Sequence, residues 1–330
     1  MAAAGGSDET VYFLDHTGAS IWRNHIKAEA YSVAITSDGS YVAVGAYEIT
    51  SIWGDDPNIG YLYLFDRNGD VLWSFEIEKN HPSKVAITPD GSYIAAGFGP
   101  YLYLLNHNGK IIWKVLMGGG VGAVAMTPDG SYTAAGSLGL LVGLINKDGK
   151  KIWDYGIDNV MSVDITRDGS KVIVGGDGVY LFNQNGDILW RSQLNKRFWS
   201  VAISHDGSYV VAGSRDGYLY IFNQDGEILW SDKLGGIIRC VSIVSDGSYV
   251  AAGSENGNVY FLKKVSATST SQDLNTSEVQ PEEKTTPEIP AKEETTPAIP
   301  TDKENGIPGF EAILFTAGLL VVAYLLRRRK

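Results

Sequence analysis

The side chains that could carry out chemistry are few in this chain of 330 residues, and their spacing does not bring them together. Asp55, Asp56 and Asn58 share one segment, residues 47–60, and supply oxygen ligands of the kind that Ca²⁺ accepts. Their spacing is not that of an EF-hand loop, and an acidic loop that is only hydrated is the alternative interpretation. We therefore predict no metal site.

Acid–base and nucleophilic side chains are equally scattered. The histidines fall mostly in turns or loops and form neither an HExxH motif nor a Ser/His/Asp arrangement. The single Cys240 excludes an internal disulfide and aligns with small residues of neighbouring repeats, which favours a packed side chain over a nucleophile. Asp164 stands where other repeats have Ala or Ser; it could hold a cation or polar ligand, or be a hydrated carboxylate. We predict no catalytic residue, no cofactor and no enzymatic activity.

The elements that position these residues are repeats. The phrases DHTGASIW, DRNGDVLW, NHNGKIIW, NKDGKKIW, NQNGDILW and NQDGEILW share Asp or Asn, then Gly three positions on, then Trp four further on. A second phrase, DGS, alternates with the first, and its six aspartates lie at 38, 90, 129, 168, 206 and 246. The interval is near 40 residues, apart from one of 52 that holds an insert. Repeats of this length indicate propeller blades.

Each repeat reads as four short strands. In residues 198–230, runs rich in Val, Ile, Tyr and Leu alternate with Asp-Gly turns, which are strong hairpin signals. No amphipathic helix pattern occurs before residue 300. The sequence therefore predicts an all-β fold, a β-propeller of seven blades, each a four-stranded antiparallel sheet.

The strand count predicts that one blade is incomplete. Third-strand phrases occur seven times, whereas first-strand and fourth-strand phrases occur six times each. We expect that the chain is truncated at its N-terminus, with roughly 20–25 residues of propeller and a signal peptide upstream of Met1. A six-bladed ring with two loose strands is the alternative.

One tryptophan per repeat occupies the fourth strand, where a large ring can fill the gap between adjacent blades. Equal placement in every repeat favours structural docking over ligand stacking. The predicted docking residues are Trp22, Trp73, Trp113, Trp153, Trp190 and Trp230.

The repeat phrases resemble two known families. D/N-x-x-G-x-x-x-W resembles the tryptophan-docking motif of pyrroloquinoline-quinone-type (PQQ) propellers, and SVAITSDGSYVAVG, from Ser32, is similar to the inner strands of WD-repeat proteins. The resemblance covers residues 1–264 and implies a propeller domain there. PQQ dehydrogenases require a quinone, Ca²⁺ and a carboxylate base, and those most similar have eight blades and often adjacent cysteines. A quinoprotein oxidoreductase is therefore the alternative function.

The two faces of the predicted propeller differ. The DGS and N-x-x-G turns share one face and are nearly identical between repeats, whereas the connections on the other face vary, as binding loops do. Residues at the start of each inner strand should ring the mouth of the channel. Ordinary rim packing is the alternative for any one of them. The candidate partner-binding residues are Tyr31, Trp53, Met161, Phe198, Trp199 and Arg239.

Residues 265–306 are rich in Thr, Pro and Glu and predict a disordered stalk, because they cannot bury enough apolar surface to fold. Extended, such a segment spans up to roughly 120 Å. Asn275 begins an N-glycosylation sequon, so either a plain linker or a glycosylated stalk fits.

Residues 307–330 predict a transmembrane helix. Residues 307–326 contain one charged residue, Glu311, and the sequence RRRK follows, which predicts a cytoplasmic C-terminus and an external propeller. Pro308, Gly309 and Phe310 precede the apolar segment, and this order resembles the PGF-CTERM sorting signal of archaeal surface proteins. The resemblance implies cleavage by an archaeosortase, with the membrane held through the helix or an attached lipid.

The net charge of −11 argues against nucleic acid as a partner. We predict a non-catalytic, cell-surface-anchored propeller that binds an unknown protein or an envelope ligand. A purely structural component of the envelope is a further alternative.

Overall fold

The computed structural model describes residues 1–6, 8–48, 59–78, 82–139, 141–264 and 310–315. Within these ranges the chain forms 27 strands in seven antiparallel sheets, six of four strands and one of three. The prediction of an all-β, seven-bladed propeller is confirmed.

The strands follow the chain blade by blade. Blade 1 contains β1 (Ala2–Gly5), β2 (Thr10–Leu14) and β3 (Ser20–His25); blade 2 contains β4 (Glu29–Ile35), β5 (Tyr41–Glu48), β6 (Ile59–Asp66) and β7 (Val71–Glu78). Blade 3 contains β8 (Pro82–Ile87), β9 (Tyr93–Phe98), β10 (Tyr101–Asn106) and β11 (Ile111–Leu116); blade 4 contains β12 (Val121–Met126), β13 (Tyr132–Ser137), β14 (Val142–Asn146) and β15 (Lys151–Tyr155). Blade 5 contains β16 (Ser162–Ile165), β17 (Lys171–Gly176), β18 (Gly178–Asn183) and β19 (Ile188–Arg191); blade 6 contains β20 (Phe198–Ile203), β21 (Tyr209–Ser214), β22 (Tyr218–Asn223) and β23 (Ile228–Lys233). Blade 7 contains β24 (Ile238–Ile243), β25 (Tyr249–Ser254), β26 (Val259–Lys264) and β27 (Phe310–Phe315).

Side-chain hydrogen bonds hold the repeated turns. In blade 3, the Asp90 carboxylate accepts hydrogen bonds from the Ser92 amide (3.0 Å), the Ser92 hydroxyl (2.6 Å) and the Thr88 hydroxyl (2.7 Å). In the turn between β10 and β11, Asn106 Oδ1 accepts from the amides of Asn108 and Lys110, both at 3.0 Å. The Asp and Asn of the two phrases therefore replace water as partners of turn amides.

The core lies between blades. Leu62 and Leu64 of β6 pack with Phe98, Tyr103 and Leu105 of blade 3, and every one of these side chains is buried. Since a single twisted sheet cannot bury both of its faces alone, each blade depends on its neighbours.

The tryptophans of blades 1 to 5 reach into the next blade. Each indole N–H donates to the carbonyl that follows the Asp or Asn of the next N-x-x-G turn. The pairs are Trp22–Arg67 (2.9 Å), Trp73–His107 (2.7 Å), Trp113–Lys147 (3.1 Å), Trp153–Gln184 (3.0 Å) and Trp190–Gln224 (2.9 Å). Trp230 packs against the cluster shared by blades 6 and 7.

Outer strands carry a β-bulge just before the tryptophan. In blade 3, Leu104 pairs with Trp113 and Leu105 with Ile111, which leaves Ile112 unpaired and 45% exposed. A bulge twists an edge strand and hinders pairing with another chain.

The C-terminal prediction needs a correction. Residues 310–315 form strand β27, not part of a helix, and pair with β26 from Lys264↔Phe310 to Val259↔Phe315. The unpaired backbone groups along the outer edge of β26 explain this, because an extended segment satisfies them and a helix does not. The described residues include no helix able to cross a membrane. Residues 265–309 and 316–330, with the predicted stalk, lie outside the described residues.

Candidate functional site

The inner strands of blades 2, 4, 6 and 7 begin with a bulge at the position predicted to ring the channel mouth. In blade 6, Phe198 pairs with Ser214 and Ser200 with Gly213, so Trp199 is the extra residue. The same register shift surrounds Tyr31, Gly122 and Arg239 in their blades. Bulges redirect a side chain out of the regular pleat and often occur beside functional sites.

Trp199 and Arg239 come together across the boundary between blades 6 and 7. The Arg239 guanidinium carbon lies 4.1 Å from the centre of the Trp199 ring, a cation–π contact. Glu255, in the turn after β25, holds the guanidinium: its Oε1 accepts from Arg239 Nε at 2.6 Å and contacts Nη2 as well. Arg239 and Glu255 are exposed and Trp199 is half-buried, so this cluster presents an ion pair and part of an aromatic ring to solvent.

The Trp199 indole N–H is buried and has no hydrogen-bond partner among the described residues. Leaving such a donor unpaired costs about 1–3 kcal/mol. The docking tryptophans of blades 1 to 5 differ from Trp199 in this respect, because their indole N–H groups are all paired.

The other predicted contact residues are placed differently. Tyr31 is 50% exposed, with its ring edge-on to Tyr47 at 6.4 Å, and Met161 is half-buried. Phe198 is fully buried and packs edge-on against Tyr220, so its prediction as a contact residue is wrong: strand alternation turns it into the core as the bulge turns Trp199 out. Trp53 lies outside the described residues.

One step deeper in the channel, serines join adjacent inner strands. The Oγ atoms of Ser32, Ser162 and Ser200 accept from the backbone amides of Val85 (3.0 Å), Val201 (3.1 Å) and Val241 (3.0 Å) of the following blades. These hydroxyls are therefore engaged in holding the ring together.

Asp164, two residues after Ser162 in β16, also joins adjacent inner strands. Its Oδ2 accepts from the Ile203 amide of blade 6 at 3.1 Å, and its Oδ1 accepts from the Ile165 amide at 2.9 Å. The Asp164 carboxylate therefore bridges two blades. This structural role differs from both interpretations of the sequence, a ligand group and a hydrated carboxylate.

Lys84 and Cys240 occupy the serine position in blades 3 and 7. The Lys84 side chain is exposed to water. The surrounding protein nevertheless disfavours the ammonium charge and lowers the pKa of Lys84, and the nearby Cys240 partly offsets this lowering. Burial raises the pKa of the Cys240 thiol, an effect that the amide of Gly253 and Lys84 partly offset. A thiol of raised pKa is a weak nucleophile.

Sequence reasoning missed Glu255 and Lys84, and it missed two ion pairs beside the mouth, Arg197–Asp177 (2.8 Å) and Lys196–Asp216 (2.7 Å). The signal available was charge: acidic residues recur in the second-to-third turns of blades 5 to 7, and basic residues recur in the loops before inner strands. In the described part of the chain, no group of three or more His, Cys, Asp or Glu could hold a metal ion.

Comparison with protein families agrees with the fold. Residues 58–188 match the model of the outer membrane protein assembly factor BamB, of the PQQ type, and residues 178–296 match that of the lambda-carrageenase β-propeller domain. No curated protein matches the chain. Residues 307–329 match the PGF-CTERM motif, which implies processing by an archaeosortase. The chain is therefore a β-propeller that an archaeal C-terminal sorting signal anchors at the cell-surface membrane.

Proposed function

We propose that this protein is a non-catalytic binding scaffold that displays the variable face of its propeller outside the cell. The partner is a protein or another ligand of the envelope, bound at the mouth formed by Tyr31, Met161, Trp199 and Arg239. The stalk predicted for residues 265–306 gives the propeller reach from the membrane.

The observation that supports this proposal best is the cluster of the half-buried Trp199 with the exposed Arg239 and Glu255. Trp and Arg are the residues most often found at interface hot spots. Here a bulge presents both on the face whose loops vary, and an unpaired indole N–H accompanies them.

The polar side chains of the inner strands hold the scaffold together. Ser32, Ser162, Ser200 and Asp164 accept backbone hydrogen bonds that join neighbouring blades. These side chains thus have a structural role in joining the blades, as a scaffold requires.

The test is crosslinking with mass spectrometry on intact cells that express the wild type, Trp199→Ala or Arg239→Ala. We expect recovery of the crosslinked partner to fall by about tenfold or more in both variants. Lys147→Ala is the matched control, because it removes an exposed charge from the uniform face. Equal recovery from all three variants, with unchanged folding, would refute the binding site.

A PQQ-type quinoprotein is the second candidate, and the match of residues 58–188 to a PQQ-type propeller model is compatible with it. Quinone absorbance in the purified protein, with substrate-dependent dye reduction, would support that candidate. A purely structural envelope component predicts instead that no crosslinked partner depends on Trp199.

A further inference from the structure

Blades 2 and 6 carry opposite charges at one equivalent position of the variable face. Glu76, on the fourth strand of blade 2, pairs with Tyr61, and Lys233, on the fourth strand of blade 6, pairs with Tyr218. Both charged side chains are exposed, and neither forms an ion pair with another described residue. Their charges are therefore available to a group outside the chain.

The rest of these two blades differs in the same sense. In the connections and strand ends of this face, the described side chains of blade 2 supply three carboxylates and one cation: Glu29, Glu48, Glu76 and Lys27. Those of blade 6 supply four cations and two carboxylates: Lys196, Arg197, Arg215, Lys233, Asp216 and Asp232. Arg197 is partly neutralised by Asp177 of blade 5, whereas the exposed Arg215 forms no ion pair within the part of the chain that the structure describes. Blade 2 is thus acidic on this face, and blade 6 is basic.

Aromatic rings occupy the channel mouth in the same two blades. Tyr31 in blade 2 and Trp199 in blade 6 are the bulged residues at the start of the inner strands. Tyr31 is 50% exposed, and Trp199 is half-buried. The two blades therefore share one radial order, with an aromatic ring nearest the channel and the charge of Glu76 or Lys233 nearest the rim.

A two-fold axis in the plane of the ring would bring these blades together. When two copies lie face to face across such an axis drawn through blade 4, blade 2 of each copy lies opposite blade 6 of the other, because both are two blades away from blade 4. Glu76 then meets Lys233 near the rim, and Tyr31 meets Trp199 near the channel. Each contact forms twice, as a symmetric dimer requires.

Blade 4 lies on this axis and must face its own copy. Its connections on the variable face, residues 117–120 and 138–141, contain no charged residue. Leu138 is 50% exposed and lies over the mouth position of the blade, since a Cβ built on Gly122 would be 3.1 Å from the Leu138 side chain. Two copies can therefore meet there through an apolar contact, without repulsion between like charges.

The C-terminal part of the chain leaves the propeller on the opposite face. Lys264, the last residue of β26, donates its amide to the Ser248 carbonyl at 2.8 Å, in the DGS turn of blade 7. The stalk predicted from residue 265 therefore starts on the uniform face and leaves the variable face open to a second propeller.

We propose that the variable face binds the same face of a second copy of this chain and forms a two-fold, head-to-head dimer. This inference rests on the binding role proposed for the mouth and names its partner. The charges of blades 2 and 6 set the orientation of the two copies, because only this axis places acidic blades opposite basic ones in both halves.

The test reverses one charge at a time in the full-length chain and measures self-association by analytical ultracentrifugation in detergent. We expect the wild type to form a dimer. Glu76→Lys and Lys233→Glu should each weaken self-association by at least about tenfold, because one substitution places like charges at both symmetric contacts.

An equimolar mixture of the two variants gives the decisive result. In a mixed dimer, the substituted position of one chain faces the substituted position of the other, and opposite charges meet again at both contacts. We therefore expect the mixture to form a dimer with nearly the affinity of the wild type, whereas each variant alone does not.

Lys147→Glu is the matched control, because it reverses an exposed charge on the uniform face. We expect this variant to form the dimer as the wild type does. Association through residues 307–330 would be common to every variant, so it would persist in Glu76→Lys and Lys233→Glu alone. Equal circular dichroism and thermal unfolding of all variants would show that folding is unchanged.

A monomeric wild type, single variants that associate as the wild type does, or a mixture that stays monomeric would overturn the proposal. Crosslinking on intact cells separates this failure from that of the proposed function. If the chain is monomeric but crosslinks to a different protein in a manner that depends on Trp199, only the pairing of two copies is wrong. If it is monomeric and no crosslink depends on Trp199, both proposals are wrong.

Discussion

Replacing Trp113 with alanine tests the interaction on which the blade stack depends. Trp113 is 9% exposed, its N–H donates to the Lys147 carbonyl at 3.1 Å, and its ring covers Gly149. Truncation removes the ring and leaves a cavity between blades 3 and 4 that rigid sheets cannot close. We expect a loss of about 3–5 kcal/mol in the free energy of unfolding.

Two further variants separate the contributions to this loss. Trp113→Phe keeps an aromatic ring but removes the donor, so it should lose about 1 kcal/mol for the hydrogen bond, plus the smaller ring area. Ile112→Ala removes the exposed neighbour and should change stability by less than about 0.5 kcal/mol. Chemical denaturation of the three variants, followed by intrinsic fluorescence and circular dichroism, gives the free energies.

The expected order of stability is wild type and Ile112→Ala together, then Trp113→Phe, then Trp113→Ala. If Trp113→Ala unfolded at the same denaturant concentration as Ile112→Ala, the ring would not stabilise the blade boundary. The structural account of all six repeated tryptophans would then fail.

Three other perturbations follow from the described contacts. Hydrogen bonds from Ser40 lower the pKa of Asp38 from 3.8 to about 2. The ionised carboxylate therefore contributes fully to the free energy of unfolding above about pH 4, and this contribution is lost as the pH falls towards 2. Asp38→Asn should lose less stability than the wild type over that pH range in an acid titration. Ser200→Ala leaves the Val241 amide without its acceptor, and we expect a loss of about 1 kcal/mol by denaturation. Because burial raises the pKa of Cys240, alkylation by iodoacetamide at pH 8 should be slower in the folded protein than in urea, and an equal rate would place the thiol at the surface.

The fold was predictable from the sequence because each blade repeats the residues that define it. Asp90 and Asn106 hold their turns by hydrogen bonds with atoms a few residues away, so local sequence determines them. The docking of Trp73 on the next turn, 34 residues on, followed from equal spacing.

The candidate site was less predictable, since its residues occur once. The sequence predicted that Phe198 and Trp199 lie together at the rim. A bulge instead places Phe198 in the core and leaves Trp199 half-buried. Glu255 approaches Arg239 through the geometry of β24 and β25, and the recurrence of acidic residues in these turns does not by itself identify the partner of each one. The C-terminal segment was misassigned at residues 310–315 because its apolar composition fits a helix as well as a strand along an open edge.

The division between constant and variable positions has a mechanical cause. Adjacent blades are joined by tryptophans on outer strands, by backbone amides bonded to Ser162 or Ser200, and by the Asp164 carboxylate. None of these contacts uses the side chain of the bulged residue that begins an inner strand. That position therefore differs between blades while these contacts are kept, and it holds Tyr, Gly, Trp and Arg in blades 2, 4, 6 and 7. A position that these contacts do not use is where a repeat protein can acquire specificity, and here the variation places a stacked Trp199–Arg239 pair at the boundary of blades 6 and 7.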